Sequence, residues 1–231
     1  MNSTVRGMVA EFIGTFALVF FGAGSIILAS DQFGAGNLMT IAMAHGLVLA
    51  VFVTGALYIS GGQFNPAVSF GLVVAGKQDV PTAVKYMISQ CIGAASGAGA
   101  LVALLGAAVA NNPEAGTNVG ATIGSLTTDG NVVGVFGFEV ILSFALMWAV
   151  LRCVADERAH KMGGVMVGVV VAACIVAAGP LTGASMNPAR TLGPALYGHW
   201  DMHWVYWAAP LVGMGLAGVI DKAVFTEPAK D

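Results

Sequence analysis

Ser60-Gly61-Gly62-Gln63-Phe64-Asn65-Pro66-Ala67 and Thr182-Gly183-Ala184-Ser185-Met186-Asn187-Pro188-Ala189 are two versions of one stretch, and their reading decides the fold. Each approaches through small residues and ends in the same tripeptide. Asn is a favoured helix N-cap, and Pro suits the first helical position because its missing N–H would have no partner there. Each tripeptide therefore predicts a helix start. Only about ten apolar residues follow each start before Gly76-Lys77 or Gly198-His199. At a rise of about 1.5 Å per residue that is roughly 15 Å, half of a bilayer core of about 30 Å. The expected elements are two half-helices that begin in the middle of a membrane.

The rest of the chain agrees with a membrane setting. Of its 231 residues, 57% are hydrophobic and 9% charged, and the mean hydropathy is +0.84. Soluble domains carry about 25% charged residues. No basic patch or tail points to nucleic acid, and a net charge of −3 implies no particular partner. Cys91, Cys153 and Cys174 lie inside apolar runs, with neither disulfide nor metal spacing. Neither a metal nor a cofactor is expected. The first apolar run, Met8 to Ala29, is too long for a signal peptide and contains Glu11, which predicts a retained span.

Apolar runs long enough to cross occur at about 8–29, 39–59, 82–109, 132–154, 162–180 and 203–224. Their continuity, without alternation, argues against a β-barrel. The fold class is thus an all-α membrane protein of six transmembrane helices plus two re-entrant half-helices. Arg6, Lys77, Lys85, Arg152, Arg158, Lys161, Lys222 and Lys230 all fall on one side of this topology. The positive-inside rule makes that side cytoplasmic and places both termini there. Arg190 is the exception, three residues past the second Asn.

The halves repeat. Glu11 and its neighbours match Glu139 and its neighbours at an offset of 128, and Gly46 and Asn65 match Gly168 and Asn187 at an offset of 122. Three spans per half is an odd number, so the second half is inverted. We expect one channel domain over 1–231 with inverted repeats at about 1–110 and 131–231. Such repeats place their working site near the midplane, where broken helices meet.

Two Asn-Pro-Ala copies in inverted halves, the second extended by Arg190, make the chain resemble the aquaporin (major intrinsic protein) family over nearly its whole length. The resemblance implies a pore lined by Asn65, Pro66, Ala67, Asn187, Pro188 and Ala189. It also implies a narrower filter of His45, Ile175, Ala184 and Arg190. Arg190 is in any case an ionisable group at membrane depth, which marks function, and an ion pair with Asp201 is its structural alternative. His45 is the one His within a span; by itself a lone His among apolar residues reads as a satisfied core group. Strict water channels resemble Phe, His, Cys or Thr, and Arg at the four filter places. The present set is wider and less polar, and resembles that of some plant vacuolar aquaporins. It implies water with small neutral solutes such as ammonia, urea and hydrogen peroxide, and exclusion of protons and ions. Glycerol stays open, since Thr191 follows the Arg where glycerol facilitators resemble Asp.

Glu11 and Glu139 admit two readings. In the family they are structural, accepting hydrogen bonds from the irregular approaches to the half-helices, whose N–H groups lack partners in lipid. In the alternative they are the relay of a proton- or ion-coupled small-solute transporter. An enzyme is not expected. No Ser/His or metal spacing lies within the spans, and His160, His199 and His203 fall in loops or at span ends. The resemblance also implies a homotetramer in the lipid bilayer, and the short termini suggest the cell (inner) membrane of a prokaryote.

Overall fold

Helix α1, Ser3–Ala29, is the longest, and α2, Leu38–Ala56, returns beside it. Next come the half-helix α3, Pro66–Val74, and the crossing helix α4, Val80–Leu105. The third connection holds two short helices, α5 at Ala107–Ala110 and α6 at Ser125–Thr128, with two 3-10 turns between them. The second half runs through α7, Val132–Cys153; α8, Gly163–Thr182; the half-helix α9, Pro188–Ala195; and α10, Val205–Ile220, extended by a π-turn to Phe225. The computed structural model describes residues 3–156, 158–159 and 161–225. His160 and Lys230 lie outside the described residues. Among the described residues, six helices are long and apolar enough to cross a membrane, and there is no strand.

Observed ends differ from the expected ones where caps act. Asp79 accepts a hydrogen bond from the Thr82 N–H (2.9 Å), so α4 begins at Val80. Gly106 takes a φ of +82° and stops α4 four residues early. Asn37 and Thr40 form a reciprocal capping box that fixes the start of α2.

The crossing helices pack in pairs, α1 with α4, α2 with α8 and α7 with α10. Lipid offers apolar side chains no reason to leave it, so helices associate through close contact at small residues. A Cβ on Gly93 of α4 would lie 2.5 Å from the Phe12 carbonyl oxygen, and one on Gly213 of α10 would lie 2.2 Å from that of Val140. Gly46 and Gly168 face each other in the same way between α2 and α8. Backbone therefore meets backbone, and large apolar side chains such as Leu104, Val51 and Ile141 point outward.

Candidate functional site

Both tripeptides do start helices. Asn65 and Asn187 have extended backbones, and their side-chain oxygens accept from the N–H groups of Ala67 (2.9 Å) and Ala189 (3.1 Å). The amide nitrogens reach across to the other half. Asn65 Nδ2 donates to the Met186 carbonyl at 2.8 Å, and Asn187 Nδ2 donates to the Phe64 carbonyl at 2.9 Å. The two helix tips therefore touch. An amide nitrogen carries two N–H groups, which leaves one on each Asn for the cavity that both line.

Phe64 and Met186 hold this junction in a costly conformation. Their φ values, 49° and 52°, are left-handed, at roughly 1–3 kcal/mol each for a residue with a side chain. Two hydrogen bonds per residue keep them there. Each gives its carbonyl to the opposite Asn and its N–H to a buried carboxylate, Phe64 to Glu11 Oε2 (2.6 Å) and Met186 to Glu139 Oε2 (2.8 Å). The other oxygen of Glu11 accepts from Ser60 Oγ and the Gln63 N–H, and that of Glu139 from Thr182 Oγ1 and the Ser185 N–H. Glu11 also accepts from Gln90 Nε2 at 2.8 Å. Both carboxylates are fully buried, and neither lines the cavity.

That cavity runs past the touching tips, with about 40 Å³ open to water. His45, Asn65, Ile175, Ala184, Asn187 and Arg190 all line it, with Val68 at the place that Arg190 occupies in the other half. The residues of the expected filter are thus brought to one space. Pro66, Ala67, Pro188 and Ala189 instead form the buried first turns of α3 and α9. Arg190 Nη1 donates to the Gly120 carbonyl at 2.9 Å, and Nη2 makes a long contact of 3.5 Å with His45 Nε2. His45 Nδ1 lies 2.9 Å from the Ile41 carbonyl, so it carries the proton and leaves Nε2 as the acceptor toward Arg190. Ile175 and Ala184 add apolar surface to the same cavity. The helix N-termini each add about half a positive charge, and Arg190 adds a full one. A neutral molecule meets donors, and a cation meets a positive field in a low dielectric.

A family model for the major intrinsic proteins matches residues 1–221. The chain belongs to the major intrinsic protein family. As a member it is a passive water channel, a multi-pass integral membrane protein with six crossing helices. Among its relatives, an aquaporin TIP4-4 from Zea mays is 42% identical over 229 residues, 96% of this chain and 87% of that one. An aquaporin TIP2-1 from Arabidopsis thaliana is 40% identical, covering 96% and 88%. An X-ray structure of the aquaglyceroporin from Plasmodium falciparum superposes with a TM-score of 0.85 at 26% identity, covering 96% of this chain and 97% of that one.

Several contributors to this aquaporin-family pore carry no signal in the sequence taken alone. The partner of Arg190 is the backbone of Gly120, not the acidic side chain considered for it. Gly120 has a φ of +66°, and a Cβ there would lie 2.3 Å from the Ala23 carbonyl oxygen, so only glycine brings this carbonyl to the arginine. Thr122, from the same connection, donates to Thr191 Oγ1, which also bonds Ser185 Oγ. A backbone acceptor has no residue signature. Phe64 and Met186 could have been found by aligning the two halves, since each precedes its Asn.

Proposed function

We propose that this channel conducts water together with small neutral solutes, ammonia, urea and hydrogen peroxide among them and glycerol at the upper limit of size, and excludes protons and ions. The observation that carries the reading is the single cavity lined by Asn65, Asn187 and the four residues His45, Ile175, Ala184 and Arg190. Arg190, His45 and the free Asn N–H groups offer hydrogen bonds, and Ile175 with the small Ala184 adds apolar surface beside them. The likeness to the Plasmodium falciparum aquaglyceroporin supports the upper end of the solute range. The one-sided distribution of basic residues supports cytoplasmic termini, and the family resemblance supports a homotetramer. The matched bonding of Glu11 and Glu139 supports inverted repeats at about 1–110 and 131–231 within one channel domain.

The same bonding supports a structural role for the two carboxylates. A coupled transporter would need them open to substrate, whereas both are buried, occupied by donors and away from the cavity. Stopped-flow light scattering on proteoliposomes with water, urea, ammonia and glycerol gradients tests the proposal. Wild type conducts water and urea. The pair His45→Phe and Ile175→His narrows conduction toward water alone. Flux that requires an imposed proton or sodium gradient would overturn the channel in favour of the transporter.

A further inference from the structure

Above the filter lies a second chamber, of about 270 Å³, that shares His45 and Ile175 with the pore cavity. A solute arriving from the side opposite the basic loops passes through it before it meets Arg190. Its wall is built by Ile26 of α1, Leu38 and Ile41 of α2, Ile123 of the third connection, and Ile175 and Pro180 of α8. Ala121, Gly179 and Gly183 complete it, so among the described residues His45 is the one polar side chain that it contains. The chamber at the opposite mouth, about 430 Å³, is of another character. Lys77, Asp156, Lys161, Tyr58, Ser60 and Gln78 are among its walls.

Water gains nothing from an apolar wall. A wide mouth for water alone would need no apolar side chains turned to it from Leu38, Ile41 and Ile123, which are half-buried. Leu38 and Ile41 also pack against the core, and Leu38 lies beside Gly179 of α8. The apolar surface is also continuous with that of the filter, because Ile175 belongs to both spaces. A molecule with one hydrogen-bonding edge and one hydrocarbon edge can therefore keep the same orientation through both. Its hydrocarbon side lies on Leu38, Ile123 and Ile175, and its polar side on His45 and then Arg190.

We propose that this outer chamber is a selectivity site for small neutral solutes carrying an alkyl edge, such as N-methylated ureas and short amides, with Leu38, Ile41 and Ile123 as its determinants. The inference rests on the solute range proposed above. Permeability through the chamber scales with partition into it. A fully buried methyl or methylene group is worth about fourfold in partition, and one covered on a single side about twofold.

The test compares urea and N-methylurea permeability in proteoliposomes, each normalised to water permeability in the same vesicles and corrected for protein-free vesicles. The expected wild-type ratio of N-methylurea to urea is at least one, although N-methylurea is the larger molecule. The double variant Leu38→Gln, Ile123→Thr is expected to lower that ratio by roughly twofold, and Ile123→Val to keep it. The water measurement reports folding of every variant. An unchanged ratio in a water-conducting double variant overturns the chamber as a selectivity site while leaving the channel and its solute range standing. A wild type that passes water but neither urea nor N-methylurea overturns the solute range itself, and the chamber proposal falls with it.

Discussion

Gly22 of α1 faces the imidazole of His45, and its replacement by Ala is the most informative single perturbation. A Cβ at Gly22 would sit 2.5 Å from His45 Nε2 and 2.7 Å from Cδ2, where ordinary contact begins at 3.4 Å. The ring must therefore retreat by about 0.9 Å. The Ile41 carbonyl holds Nδ1 and Arg190 stands at Nε2, so the free direction is into the cavity. That cavity has about 40 Å³ for water, where each molecule needs about 10–15 Å³. Overpacking costs about 1–3 kcal/mol, and if it falls on the conducting path it slows permeation by about 5- to 150-fold. Meanwhile Ala in place of Gly returns up to about 1 kcal/mol of helix stability, so the fold survives. Stopped-flow shrinkage of proteoliposomes reads the loss of flux. The double variant Gly22→Ala, His45→Ala restores it by removing the ring. A single variant with normal water permeability, or a double variant as slow as the single, refutes the placement of His45 at the narrowest point.

Three further perturbations probe other parts. Glu139→Gln presents an amide N–H to the Met186 N–H and leaves a buried donor without its bond, at roughly 1–3 kcal/mol. For a chain of this size that is a fall of about 2–12 °C in detergent melting temperature, with flux kept in the folded fraction; normal melting with abolished flux would instead favour a proton relay. Arg190→Val leaves the Gly120 carbonyl facing an apolar side chain and removes a full positive charge, so proton or cation conductance of proteoliposomes rises, and unchanged conductance would remove Arg190 from the barrier. His203, just before the last span, accepts the Trp207 indole N–H at 3.0 Å, and burial holds its pKa below the ordinary value. Its neutral form is therefore favoured in the folded protein, so this contribution is full above about pH 6.5 and is lost as pH falls below it. A melting curve against pH shows this slope, and His203→Phe flattens it.

What could be read in the residues depended on whether the signal was carried by side-chain type. Hydropathy located six crossings, and Asn followed by Pro located both half-helix starts, because a cap and a missing N–H are properties of those residues. Helix ends moved where Asp79 and Gly106 intervened, and hydropathy does not weigh one hydrogen bond or one φ angle. Glu11 and Glu139 stood out as carboxylates in apolar runs, but not the donors that meet them, which include the backbone of residues far along the chain. Arg190 stood out as a charge at membrane depth, while its anchor at Gly120 did not. The left-handed backbones of Phe64 and Met186 were hidden for a similar reason. Neither residue type favours that conformation, and only the bonds on either side impose it.

Those crossed bonds make the pore a property of the whole chain. Phe64 is steadied by the carboxylate of its own half, yet its carbonyl has no acceptor role until Asn187 arrives, and Met186 waits in the same way for Asn65. The first half alone supplies three crossings and one half-helix, and therefore only part of the cavity wall. The wall is complete, and the crossed bonds can form, only when the last half-helix docks.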